Sequence, residues 1–223
     1  MPYCKICGAH LPLDEELRYC PSCGSYLGRE RLGVARGELK PATGKSERLI
    51  SLRARVLLLC LMFLTSVIVT SLGAASTIDP AEAQDMLQDL ERLREVLDYA
   101  GLPLIFGNNL MYCLMMFVPL VGPISGFFVL YSTGLSIAAM SSSAGTNPLL
   151  ILFLLFLYPH AWMEYLSYSL AISESILLVY ALLRYKILGF KQEFSNALKA
   201  IFICATVLLL AAIIEMQLIA TMR

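Results

Sequence analysis

Long apolar runs separated by short charged ones dominate this chain. Val56 to Ala75 is twenty residues without a charge, and at about 1.5 Å rise per residue it matches a hydrocarbon core of roughly 30 Å. The pattern predicts a membrane-crossing helix there. Because the run begins well behind the N-terminal segment, it reads as an anchor rather than a cleaved signal peptide. From Asp79 to Ala100 the period changes: Met86, Leu90, Leu93, Leu97 and Ala100 share one face of a helix among polar neighbours. Asp79 suits the cap, Pro80 the first helical position and Glu82 a capping-box-like partner, while Gly101 and Pro103 end the element. An acidic amphipathic helix over 79–100 is poorly suited to anionic lipid and is expected to pack on the external face of its own bundle.

Leu102 to Ser143 carries no charge and is long enough for two crossings, turned at Pro119-Leu-Val-Gly122-Pro123. Gly126, Ser132, Thr133, Gly134 and Ser136 are small residues of the kind that let helices approach closely in lipid. Leu149 to Leu183 is longer than one crossing needs. Two full crossings would carry Arg184, Lys186, Lys191 and Lys199 outside, against the positive-inside rule. One net crossing is therefore expected, with Tyr158 ending one helical piece and Pro159 opening the next. Whether 149–158 is a re-entrant half-helix or a kinked extension stays open at this point. A last crossing over about 197–220 completes an all-α integral membrane helix bundle of about five net crossings with one broken helix.

Composition agrees and removes the alternatives. Hydrophobic residues are 58% of the chain and charged residues 15%, with a mean hydropathy of +0.70. A soluble globule carries roughly a quarter charged residues, so soluble, collagen-like and disordered classes are excluded. The net charge of zero conceals polarised blocks. Arg29 to Arg55 holds eight basic and three acidic side chains, Thr77 to Ala100 seven acidic and two basic, and Arg184 to Lys199 four basic and one acidic. These blocks predict a protein integral to the cell membrane with a cytoplasmic N-terminus and the C-terminus outside.

Residues 1–28 have different chemistry. Cys4-Lys-Ile-Cys7 and Cys20-Pro-Ser-Cys23, each followed by glycine, are separated by twelve residues. Four thiolates in two C-x2-C knuckles suit tetrahedral, structural Zn2+ and leave no open position for catalysis. A head this small cannot fold on its own core, so metal binding supplies the folding energy. A small N-terminal zinc ribbon is expected, with His10 as a surface residue and Cys60, Cys113 and Cys204 as packing residues of the apolar runs. Lys5 and Arg18 face Asp14, Glu15 and Glu16 in composition, so there is no basic face for nucleic acid. Residues 29–52, interrupted by Gly33, Gly37, Pro41 and Gly44, form a basic flexible linker.

The chemistry within the membrane concentrates after Pro159. His160 and Glu164 lie one turn apart, and Ser167, Ala171 and Glu174 or Ser175 continue the stripe, giving one helix a polar seam. Ionisable groups at membrane depth face inward and pair. The expected pair is Glu164 with His160, and Asn109, beside Asn108, offers a hydrogen bond from another helix. Three readings compete: a clamp that sets helix register, a proton or substrate path, and a catalytic dyad. The last lacks a spaced nucleophile.

Phe106-Gly-Asn-Asn109-Leu110, the small-residue helix after Gly122, and Pro159-His160-Ala-Trp-Met-Glu164 together resemble the stage II sporulation protein M family. The resemblance covers about residues 53–220 and leaves out the ribbon. It departs at Ala161, where the family favours glycine, and at Thr133-Gly134, where it carries Asn-Gly. It implies a five-crossing membrane domain, here 53–223, that recruits partners which do the chemistry. The expected function is a non-enzymatic membrane scaffold with a cytoplasmic zinc-ribbon docking head. Its partners are the lipid bilayer, a protein of unspecified identity and, where assembly requires it, a second copy in a homo-oligomer. The alternative is a small transporter or proton-coupled channel using His160 and Glu164.

Overall fold

The computed structural model describes Cys4 and residues 8–10, 19, 20, 22–26 and 50–221. Cys7 and almost all of the 29–52 linker lie outside the described residues. The chain divides into two units, Met1–Glu47 and Arg48–Arg223. Among the described residues the second unit is entirely helical: α1 (Leu52–Ala74), α2 (Pro80–Ala100), α3 (Leu102–Met116), α4 (Val121–Ala144), α5 (Pro148–Leu155) and α6 (Pro159–Thr221). Three of these, α1, α4 and α6, are long and apolar enough to cross a membrane, and α3 is a shorter apolar helix of 15 residues. This is the architecture of a membrane protein.

α1 shows how the bundle is organised. Leu57, Leu61, Leu64, Ile68 and Leu72 form an exposed stripe, while Ser66, Thr70, Gly73 and Ala74 are buried. Large apolar side chains point out and small or hydroxylated ones point in, the reverse of a water-soluble helix. Lipid solvates leucine as well as a protein core does, so helix association rests on close backbone approach and on polar contacts. At Gly73 an added Cβ would strike the Tyr131 carbonyl, and at Gly134 it would strike the Thr70 carbonyl. The two glycines thus bring α1 and α4 into backbone contact. Tyr165 Oη donates to Thr70 Oγ1 at 2.9 Å, and Ser66 and Ser169 meet at 3.4 Å. These contacts run in opposite chain directions, so α1 is antiparallel to the first part of α6.

α6 is a helical hairpin. Lys186 has φ 56° and ψ −155°, interrupting an otherwise continuous helix. Cys204 Sγ on the second arm donates to Ser167 O on the first at 3.5 Å, so the arms run back along one another. Gly189 admits the return, because a Cβ there would collide with Tyr185 Cβ. The pattern places the connection between the last two crossings among the basic residues 184–199; the structure reduces it to a single reversed residue with both arms helical. Each arm exceeds the about 20 residues that a crossing requires.

The break before Pro159 is present. α5 is only 8 residues, and Trp162 Nε1 donates to Phe156 O at 2.7 Å, satisfying a carbonyl near a proline that has no N–H to offer. The α3–α4 turn differs in detail from the expectation. Gly122 and Pro123 lie within the first turn of α4, and the residue with positive φ is Leu120, at φ 69° and ψ −49°. Gly122 serves packing instead, since a Cβ would run into the Met116 carbonyl. α2 has its expected cap, with Asp79 Oδ1 accepting from Ala81 N at 2.9 Å, and Pro80 at its first turn. It lies against α4 and α3.

Replacing Gly134 with valine is expected to destabilise the bundle by about 1–3 kcal/mol or more, because the obstructing atoms are backbone. Unfolding in mixed detergent micelles reads the loss, and an unchanged midpoint would show that the two helices do not cross here.

Candidate functional site

Asn109 of α3 donates through Nδ2 to Glu164 Oε1 of α6 at 2.6 Å. Further along, Cys113 Sγ of α3 donates to Ser167 O at 3.9 Å, and Ser175 Oγ donates to the carbonyl of Val118, just beyond α3, at 2.8 Å. The residue numbers rise together, so α3 and the first arm of α6 are parallel, with Glu164 near the end covered by α2. A cavity of about 270 Å³ opens beside it. Glu164, Asn109 and Asn108 meet there with Glu215 from the second arm of α6. α2 closes the space with Leu90, Leu93, Arg94 and Leu97, one helical face, and α3 adds Leu104 and Ile105. Glu215 and Arg94 were not among the residues expected at the site. They are distant in sequence from the seam, and only the α6 hairpin and the α2 lid bring them to it.

The expected seam is divided by the fold. Glu164 pairs with Asn109, not with His160. His160 is buried, stacks on the Tyr158 ring with centroids 5.8 Å apart, and its Nδ1 makes no hydrogen bond. Ser167 Oγ turns back to Met163 O at 2.8 Å, and Ser169 and Ser173 likewise bond carbonyls four residues earlier in their own helix. Such back-bonding satisfies a hydroxyl without a partner helix. Of the seam's serines, Ser167 is satisfied within its own helix and Ser175 at the Val118 carbonyl, so neither links Glu164 to Glu174.

Glu174 belongs to a second cluster. Arg55 of α1 donates to Glu174 Oε1 at 2.9 Å and to Glu193 Oε2, and Asn196 Nδ2 reaches the same Glu193 oxygen at 3.1 Å. The Glu193 side chain is 1% exposed and that of Glu174 8%. Glu174 Oε2 and Glu193 Oε1 are buried without a hydrogen bond. One guanidinium thus ties the start of α1 to both arms of the α6 hairpin. Ten residues of helix span about 15 Å, which separates Glu174 from Glu164. Glu193 carried a sequence signal, being the single acid among the basic residues of 184–199. Between the clusters, Cys113, Met116, Leu130, Ile172, Cys204 and Leu208 pack together with at most 1% exposure each.

In the first unit, the Sγ atoms of Cys4, Cys20 and Cys23 lie within 4.8 Å of one another, with Cys4 and Cys23 at 3.7 Å. Thiolates on a common zinc, at about 2.3 Å each, sit about 3.8 Å apart in a tetrahedron. Ser25 Oγ lies 3.3 Å from Cys4 Sγ and 3.1 Å from Cys23 Sγ, placed to orient both sulfurs. The two knuckles share their backbone bonds: Cys4 N to Ala9 O and Cys20 N to Ser25 O, then Gly8 N to Cys4 O and Gly24 N to Cys20 O. Gly8 and Gly24 have φ of 73° and 69°, the left-handed region such a turn requires. His10 is exposed. The cluster can bind a metal.

A family model described as Stage II sporulation protein M matches residues 56–217. No curated protein and no solved structure gives a significant match.

Removing Arg55 strands two buried carboxylates, so Arg55→Leu is expected to cost about 3–5 kcal/mol, and adding Glu174→Leu and Glu193→Leu should recover part of it. Asn109→Ala removes a bond to a carboxylate and is expected to cost about 1.5–3 kcal/mol. Both are read as unfolding free energies in micelles; equal stability of all variants would mean that the clusters do not hold the helices.

Proposed function

The chain belongs to the stage II sporulation protein M family, and from that premise we propose that it is a polytopic membrane scaffold with a cytoplasmic zinc-ribbon docking head. Its five crossings are α1, α3, α4 and the two arms of α6, alternating in direction, with α5 as a short re-entrant piece. Arg55 touches both arms of the hairpin, so the start of α1 and the Lys186 reversal share one end of the bundle. That end gathers Arg53, Arg55, Arg184, Lys186 and Lys191, and the acidic α2 lies at the other. The positive-inside rule then puts the N-terminus in the cytoplasm and the C-terminus outside.

The observation that carries the scaffold reading is the close-packed layer between the two polar clusters, where buried apolar side chains surround short hydroxyl contacts between α1 and α6. A conduit needs polar groups or water along its length, and a catalytic site needs a reactive group beside its acid. Here Glu164 is bonded to an amide, Ser167 and Ser173 bond carbonyls of their own helix, Ser175 bonds the Val118 carbonyl, and buried apolar side chains pack towards Glu174. Asn109–Glu164 acts as a clamp that fixes α3 on α6. In the head, Cys4, Cys7, Cys20 and Cys23 hold structural zinc. Cys7 has the sequence position in its knuckle that Cys23 has in the other. When bound, the metal supplies a cross-link and no open coordination position.

Two measurements test this reading. Metal analysis of the purified full chain is expected to give one zinc per chain, reduced to a small fraction in Cys23→Ser with the membrane helices still folded; a metal-free wild type rules the ribbon out. Reconstituted in liposomes, the protein is expected to pass no protons or alkali cations, while cross-linking in native membranes yields a larger assembly that Cys23→Ser weakens. A pH-driven flux abolished by Glu164→Gln would establish the transporter instead.

A further inference from the structure

We propose that the cavity beneath α2 holds the head group of an amine-bearing phospholipid, with its ammonium between Glu164 and Glu215 and its phosphate at Arg94. This rests on the membrane placement of the bundle and not on the scaffold role.

The walls differ in kind, and each difference limits the occupant. Two carboxylates line the inner part, and Glu164 already accepts from Asn109 through one oxygen. Their carboxyl oxygens are hydrogen-bond acceptors that a donor-bearing cation can engage. A divalent metal prefers a full shell of about six to eight oxygen ligands and would be repelled by Arg94. A primary ammonium has three N–H donors, enough to reach two carboxylates at once. A quaternary ammonium has none. Arg94, which is exposed on α2, stands at the mouth, where a group bonded to that ammonium and carrying the opposite charge has to lie. The guanidinium fork fits a phosphate.

Leu90, Leu93 and Leu97 form the α2 side of the cavity, and Leu104 and Ile105 continue it on α3. These side chains offer nothing to a small hydrophilic amine and suit the glycerol and first methylenes of a lipid. Leu93, which lines the cavity, remains half exposed, a path along which acyl chains leave for the bilayer. The volume, about 270 Å³, lies just under the range of about 300–1,000 Å³ usual for ligand sites, so a head group fits and a whole lipid does not. The amphipathic helix, whose apolar face is wider than its packing on α3 and α4 uses, thereby becomes the lid of a lipid site.

The test is native mass spectrometry of the full-length protein in micelles containing equal amounts of dioleoyl phosphatidylethanolamine, phosphatidylcholine and phosphatidylglycerol. Ethanolamine lipid is expected to be retained about tenfold over the other two, a difference of about 1.4 kcal/mol. Glu215→Gln and Arg94→Gln should each remove most of that preference, and Glu95→Gln, one residue along α2 and outside the cavity, should leave it intact. Because Arg94 is exposed, its replacement does not threaten the fold. Equal retention of the three lipids, a preference for phosphatidylglycerol, or a preference that survives either cavity substitution overturns the proposal. An excess of soluble phosphoethanolamine is expected to leave the lipid in place; complete displacement would identify a free amine as the occupant and overturn it too.

Discussion

Lipid offers no hydrogen bonds, so a carboxylate carried on a membrane helix has to find its donor on another helix or remain neutral. Four glutamates of α6 face this requirement: Glu164, Glu174, Glu193 and Glu215. Glu164 takes its donor from α3, and Glu174 and Glu193 share one guanidinium from α1. Those contacts lie near opposite ends of the bundle and set how far α1 and α3 are slid along α6. A one-turn shift of either helix would strand at least one carboxylate. The same contacts explain why α6 can be a hairpin at all, since Arg55 bridges its two arms close to the single reversed residue, Lys186.

Between those ends the bundle is held by proximity. Gly73 and Gly134 allow backbones to touch, and Ser66, Thr70, Tyr165 and Ser169 supply the few polar contacts at that interface. Leucines that a soluble protein would bury face outward here. The ionisable side chains gather at two separate places, and the layer between them holds apolar side chains and hydroxyls. One is an ionic lock at the start of α1, which joins the linker-bearing end of the membrane unit to both arms of α6. The other is the cavity beside Glu164, one side of which is formed by the amphipathic helix α2.

Much of the membrane unit was legible in sequence because lipid imposes simple rules. The apolar runs, the proline breaks, the Asp79 cap and the amphipathic period of α2 all follow from local patterns, and the family resemblance rests on Asn109, His160 and Glu164 within short motifs. Local pattern was misleading where one sequence feature served two purposes. Gly122 looked like a turn residue, and in the structure it is a close-packing residue while Leu120 takes the positive φ. His160 and Glu164 looked like a pair because they are one turn apart. Asn109 was also named as a candidate partner, and its choice over the imidazole depends on where α3 lies.

By itself, then, the sequence determined which segments are long and apolar, the family motifs and the paired C-x2-C spacing, because these depend on residue type and spacing along one stretch of chain. Only the tertiary structure decided how the polar groups are partnered, Glu174 and Glu193 with Arg55 and Glu164 with Asn109, and that Glu215 and Arg94 line the cavity beside Glu164. The physical reason is that a buried charge is satisfied by whatever donor the packing brings within about 3 Å. Helix crossing and register, which no single segment encodes, determine that donor.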